Sequence, residues 1–301
     1  MYMPEMAQQL LPTILQLIDG KTLEKREDVQ LMAFNASGQL VNAIRAVYGE
    51  NGQLEDPFKD FPEDSVAVVP VKGTMLKYGT YCAWGADELT HVMEMAYASP
   101  KIAAVILDMD SGGGAVSSVP IWKAALQKRT KPVLIHADVM CSAAYYAGIY
   151  TDHMMLQNDI SAMVGSIGVM VSWPDYAEAL KARGITMRTV YADQSTHKNI
   201  EFREAGNDNY GPLKLNLLNP LAIQFQEAVK AQRPQLNLEV EGIIAGKTFG
   251  GQDALKYGLV DSIGTMDMAV KTALELSKIY KNKAIAQDFV TQFNSIHNHD
   301  F

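Results

Sequence analysis

From Val66 onward, short apolar runs alternate with helix-like stretches, and this alternation constrains the fold more than any other feature of the chain. Runs at 66–71, 102–109, 132–137, 154–157, 167–171 and 186–191 read as strands, with helices between most of them at 86–98, 116–128, 142–149 and 174–182. A helix between two strands returns the chain to the same sheet edge, so the pattern predicts an α/β fold: a mainly parallel sheet flanked by helices. Further on, a long helix is expected over 212–233 with a break at Pro220. Two short helices near Val240 and Asp253 and a last one over 266–280 follow.

Residues 1–62 read as an α-helical N-terminal extension. An apolar helix is expected over 6–18 and an amphipathic one over 39–48, with Leu40, Val41, Ile44 and Val47 on one face. The acidic, proline-containing stretch 51–63 reads as a linker. The boundaries expected are therefore an arm and linker at 1–62, a main domain at 63–282 and a loose polar tail at 283–301.

Two junctions carry candidate chemistry. Ser142 sits between the run 132–137 and the small-residue helix 142–149, where a rigid backbone holds its hydroxyl near helix N-terminal amides. The bland reading of such a serine is a helix N-cap. Ser111-Gly112-Gly113-Gly114 follows the run 102–109 and opens another helix; glycines there let backbone N–H groups face a ligand unobstructed. The bland reading is a plain turn. Neither nucleotide-binding fingerprint is present, because no Gly-x-Gly-x-x-Gly occurs and no Gly-Lys-Ser/Thr follows the glycines. A serine beside an anion-binding loop is the layout of an acyl-transfer site.

Later segments complete a resemblance. Gly165-Ser166-Ile167-Gly168-Val169, His197-Lys198-Asn199, the stretch FQEAVKAQR at 225–233 and GKTFGGQDALKYGLVDSIG at 246–264 occur in an order and spacing similar to the signal peptide peptidase A family of serine–lysine proteases, which includes phage prohead proteases. The family's Ser-Pro-Gly-Gly-Ser-Val loop matches Ser111 to Val116, with Gly112 where proline is usual. Its Ala-Ser-Gly-Gly-Tyr-Tyr motif matches Cys141 to Tyr146. The resemblance runs from about 66 to 280 and implies the Clp protease/crotonase superfold. It also implies a serine endopeptidase with Ser142 as nucleophile, Lys198 as base and the amides of Gly113 and Gly114 as oxyanion hole.

The residues by themselves leave the base open. His136 and His153 flank the Ser142 helix, but each reads more readily as a half-buried, satisfied histidine. Lys198 lies in a loop-like stretch where most lysines are solvated, and only the resemblance makes it a base. A solvated lysine titrates near ~10.4, so one that accepts a proton near neutrality needs burial or nearby positive charge, worth about 4 kcal/mol against the ammonium form. Cys141 reads as a small buried filler.

A substrate groove is expected along Gly73, Met75 and Leu76 on one side and Gly165, Ser166 and Ile167 on the other, favouring small or apolar peptide side chains. Neither metal nor cofactor is called for. A net charge of −8 argues against nucleic acid as a partner. Two cysteines give no disulfide framework, no apolar run reaches the ~18 residues of a membrane span, and the N-terminus lacks a basic secretory start. These features predict a soluble chain without a membrane anchor, placed in a bacterial cytoplasm or an assembling virion. The expected partners are a protein or peptide substrate, such as a capsid or scaffold protein, and further copies of the chain in a tetramer or octamer. The apolar segment 6–18, which a monomer would leave exposed, and the family habit motivate the last expectation.

Overall fold

A computed structural model of the protein describes residues 30–45, 57–186 and 188–297. These fall into two compact units, residues 30–167 with 229–297 and residues 168–228. In chain order the first holds β1 (Gln30–Phe34), β2 (Leu40–Arg45), β3 (Ser65–Lys72), α1 (Ala86–Ala98), β4 (Ile102–Ser111), α2 (Val119–Gln127), β5 (Val133–Cys141), α3 (Ala143–Gly148), β6 (His153–Leu156) and β7 (Met163–Gly165). The second unit contributes α4 (Ala177–Ala182) and α5 (Ile200–Ala205); α6 (Asn219–Gln232) leads back to β8 (Thr248–Gly250), α7 (Gly251–Lys256), β9 (Ser262–Ile263) and α8 (Met266–His297).

Among the described residues nine strands form one sheet, in the order β2-β1-β3-β4-β5-β6-β9, with β7 on β5 and β8 on β7. The strands from β3 to β9 along that path are parallel, and β1 and β2 add an antiparallel hairpin at one edge. The sheet is thus the mainly parallel α/β arrangement expected. β3 and β4 are buried on both faces, which is why they read as unbroken apolar runs rather than alternating ones. One face packs Val68, Ile106 and Leu134 against Ala269, Val270 and Ala273 of α8. Burying each large aliphatic side chain contributes about 1.5–3 kcal/mol.

Local chemistry sets the helix ends. The Gly85 N–H donates to Glu88 Oε2 at 3.1 Å at the start of α1, and Lys131 Nζ donates to the Ala96 and Ser99 carbonyls at its end. Pro120 occupies the first turn of α2, where no intrahelical N–H is required. Arg129 then pairs two-pronged with Asp152 at 2.9 Å, and Tyr280 of α8 donates to the same carboxylate at 2.7 Å. Arg129 also donates to the Leu126 and Tyr150 carbonyls, so one guanidinium joins α2, the start of β6 and α8.

Several expectations need correction. Of the helix expected over 39–48, Leu40–Arg45 is strand β2, paired antiparallel with β1, which itself pairs with β3, and 46–48 lie outside the described residues. Its turn is built by Asn35, whose side-chain oxygen accepts the Ser37 and Gln39 amides, with Gly38 at φ 78°. Sheet pairing supplied by β3 outweighs a helical spacing of four apolar residues. Residues 57–63 are no open linker: Phe58 and Phe61 are buried and meet edge to face at 5.7 Å.

The strand expected at 167–171 lies upstream as β7. Gly165 at φ 115° and Ser166 at φ 53° end the extended run, since left-handed residues cannot continue a ladder. No strand forms at 186 or 188–191, which have no sheet edge to pair with among the described residues of their unit. Near Val240 the chain makes turns with i to i+3 bonds, at Val240–Ile243 and Gly242–Ala245, instead of a helix. The break at Pro220 takes the form of a π-helical turn over Lys214–Leu218, which widens the helix where proline supplies no N–H. The last helix runs to His297 rather than 280, because no glycine or proline interrupts residues 281–297. The segment 6–18 lies outside the described residues. Among those described, no helix is long and apolar enough to cross a membrane.

Candidate active site

The loops after β3, β4 and β5 leave the same C-terminal edge of the parallel sheet, the edge where open α/β sheets hold ligands. β5 divides its pairing there. Leu134–Ala137 pairs with β6, whereas Val139–Cys141 pairs with β7. Ser142 follows directly at φ 53° and ψ −122°, a sharp turn between strand and helix that costs about 1–3 kcal/mol for a residue with a side chain. Its N–H donates to the Gly165 carbonyl at 2.9 Å and its carbonyl accepts from Tyr146 at 2.9 Å. The Ser142 side chain makes no capping hydrogen bond, so the N-cap reading fails and the hydroxyl is not committed to the helix.

The glycine loop packs against this turn. A Cβ on Gly113 would lie 2.7 Å from Ser142 Cβ, 2.8 Å from the Cys141 carbonyl oxygen and 2.9 Å from the Ala143 nitrogen. Only glycine, at φ 99°, permits that approach. The loop is also stitched to the segment after β3. Met75 N–H donates to the Gly113 carbonyl and the Ala115 N–H donates to the Met75 carbonyl, both at 2.9 Å. Gly114 lies between those two bonds, and its N–H makes no hydrogen bond among the described residues. The Gly113 N–H is taken by Ser111 Oγ at 3.2 Å. Ala143, first residue of α3, has an amide with no intrahelical acceptor beside this loop, a donor that the motif's side chains did not reveal.

Of the residues expected to line a groove, Met75, Leu76 and Ile167 bury their side chains in the core. Gly73 is exposed with open space around it, and Ser166, half-buried at φ 53°, donates its N–H to the Lys247 carbonyl at 2.9 Å. What these segments offer a ligand is therefore backbone and Ser166.

Lys198 belongs to the other unit, residues 168–228, and Ser142 to the sheet unit. Its turn closes with the Lys198 N–H on the Ser195 carbonyl at 3.1 Å, and Asn199 at φ 54° leads into α5. Arg203 braces the turn by donating to the Thr196 carbonyl at 3.0 Å while its guanidinium rests over Tyr191. The Lys198 side chain is exposed.

Both histidines make contacts away from Ser142 through Nε2, while the Nδ1 of the buried His136 has no partner among the described residues. His136 Nε2 is 3.0 Å from the Gly264 carbonyl, and His153 Nε2 is 2.7 Å from Ser262 Oγ. Burial pushes the His153 pKa down, as does Arg233, against an opposing pull from Asp261. Cys141 is buried, and desolvation raises its thiol pKa to about 11, so it carries no thiolate near neutral pH. Alkylation of the native protein with iodoacetamide is therefore expected to label the exposed Cys82 alone, with a second adduct appearing only in denaturant. Labelling of Cys141 in the native state, read by peptide mass spectrometry, would contradict this.

The family model for peptidase family S49 matches residues 125–280. The chain is 26% identical over 254 residues to Protease 4 of Haemophilus influenzae, covering 80% of this chain and 39% of that protein. It is 27% identical over 222 residues to the chloroplastic serine protease SPPA of Arabidopsis thaliana, covering 71% and 32%. With capsid assembly protease C of Escherichia phage lambda it shares 23% over 263 residues, covering 84% and 56%. The chain thus spans 32% to 56% of the length of these relatives. Among solved structures, the 1510-N membrane protease specific for a stomatin homolog from Pyrococcus horikoshii aligns with a TM-score of 0.42 at 15% identity, covering 68% of this chain and 76% of that one. An enoyl-CoA hydratase/isomerase family member aligns with a TM-score of 0.44 at 12% identity, covering 77% and 85%. With the family model matched over more than half of its residues, and the strand–serine–helix turn inside the match, the chain belongs to peptidase family S49.

Proposed function

We propose that this chain is a serine endopeptidase that cleaves through a Ser142–Lys198 pair. The observation that carries the reading is the uncapped Ser142 hydroxyl on a strained turn, packed against a loop that only glycine can form. Ser142 Oγ attacks the peptide carbonyl carbon as neutral Lys198 takes the hydroxyl proton. Backbone amides at the glycine loop and at Ala143 stabilise the oxyanion. The protonated lysine then gives its proton to the leaving amine, and water, deprotonated by the same lysine, hydrolyses the acyl-enzyme.

The reading sets a physical demand. A lysine serves as a base where burial or nearby positive charge favours its neutral form, and Lys198 is exposed. Something must therefore cover it when the site assembles, and a second copy of the chain or the bound peptide is the natural cover. A tetramer or octamer whose protomers complete each other's sites meets that demand. For the biological role we favour capsid maturation on a phage or prophage capsid or scaffold protein, by likeness to capsid assembly protease C. Cleavage of membrane-derived peptides is the second reading, by likeness to Protease 4.

Labelling with a fluorophosphonate is expected in the wild type and lost in both Ser142→Ala and Lys198→Ala. Labelling that survives Lys198→Ala would remove that residue as base. Labelling absent from the wild type would leave a scaffold protein without chemistry. Co-expression with candidate capsid proteins, followed by mass spectrometry against the Ser142→Ala control, separates the two biological roles.

A further inference from the structure

We propose that Ser111 is a positioning residue that decides which amide of the glycine loop meets the oxyanion, assigning that task to Gly114 and withdrawing Gly113; this rests on the peptidase reading above. Ser111 closes β4 and is 1% exposed. Its hydroxyl donates to the Gly73 carbonyl at 2.5 Å, and its oxygen accepts the Gly113 N–H at 3.2 Å. One hydroxyl supplies one donor and two acceptor sites, so both bonds form at once. Gly73 returns its own N–H to the Asp110 carbonyl at 2.8 Å. The loop is thereby locked to the segment after β3 on both sides of Ser111.

The consequence follows from alternation along an extended chain. Met75 bonds to the residues on either side of Gly114, so the N–H and carbonyl of Gly114 itself point away from Met75. Gly113, one residue earlier, touches the Ser142 turn through its Cα, but its N–H is occupied. Of the two amides at Gly113 and Gly114, therefore, only that of Gly114 is unspent among the described residues. Without the hydroxyl, the Gly113 N–H and the Gly73 carbonyl would each lose a partner and the peptide between Gly112 and Gly113 would be free to rotate. Such a rotation moves the next amide away from the place where negative charge develops, and the loss falls on the transition state rather than on peptide binding.

The test compares Ser111→Thr with Ser111→Val, two side chains of the same shape that differ by the hydroxyl. Thr is expected to stay within about threefold of wild-type kcat, whereas Val falls about 100-fold with KM within about twofold. A peptide aldehyde, which forms a tetrahedral adduct on Ser142, should weaken for Val by a similar factor. Equal kcat for Thr and Val overturns the proposal. If Val does not fold, Ser111→Cys replaces it: a lowered kcat with KM unchanged supports the clamp, and an unchanged kcat overturns it. Ser142-dependent fluorophosphonate labelling of the wild type is run alongside, and its absence removes the peptidase reading and this proposal together.

Discussion

Gly113→Ala is expected to reduce peptide hydrolysis by at least about 100-fold, the cost of misplacing a reacting group by an ångström or less. The new methyl carbon would sit 2.7 Å from Ser142 Cβ and within 3 Å of the Cys141 carbonyl oxygen and the Ala143 nitrogen. Two of those neighbours are backbone atoms and cannot swing aside, so the loop or the nucleophile must move. Alanine would also have to hold φ near 99°, which adds about 1–3 kcal/mol of strain to a similar overpacking cost. Gly112→Ala is the control. Its added carbon would meet nothing within 4 Å, so activity should stay within a few-fold of wild type. Measuring kcat with urea unfolding of both variants separates geometry from stability. A Gly113→Ala enzyme with more than a tenth of wild-type activity would mean the loop does not abut the reacting serine.

Arg233→Ala is expected to destabilise the protein by about 3–5 kcal/mol, lowering the melting temperature by roughly 10 °C. Arg233 follows α6 and is buried, with Nη1 2.8 Å from Asp261 Oδ1 and Nη2 donating to the Gly258 carbonyl at 3.0 Å. Asp261 in turn accepts the Met154 N–H at 2.8 Å, at the start of β6. Tyr145 of α3 donates to Leu259 in the same loop at 3.0 Å. The guanidinium therefore holds the loop that β6 and the nucleophile helix both lean on. Removing it leaves a carboxylate and a carbonyl without their partner, which costs more than the pair gains when intact. Replacing Arg233 and Asp261 together by methionine and leucine should recover part of the loss. A single-variant loss under about 1 kcal/mol by thermal unfolding would show that water already screens the pair.

Much of the sheet was legible because its strands announce themselves locally. The runs that became β3, β4 and β5 are apolar on both faces, and α1 and α2 carry apolar residues at helical spacing. The position of Ser142 between such a run and a helix was visible for the same reason. The hairpin at 30–45 was not, because its hydrogen-bond partner β3 lies a linker away and a spacing of four apolar residues suits either period. β7 was misplaced because only the left-handed Gly165 and Ser166 mark where it must stop. The groove side chains misled more directly. An apolar Met75 or Ile167 beside a glycine loop reads equally as pocket wall or as core, and burial made them core.

Residue order alone therefore determined the parallel α/β layering, the glycine loop, the serine at its junction and, by motif, the family. These depend on backbone preferences and apolar periodicity within a dozen residues. Tertiary structure decided that the Ser142 hydroxyl is left uncapped, that Gly113 must be glycine because Ser142 lies against it, and that Ser111 spends its hydroxyl on Gly73 and Gly113. The Gly113–Ser142 and Ser111–Gly73 contacts join segments 29 and 38 residues apart that strand pairing brings together. No local preference encodes such a contact, because it exists only once β3, β4 and β5 lie side by side.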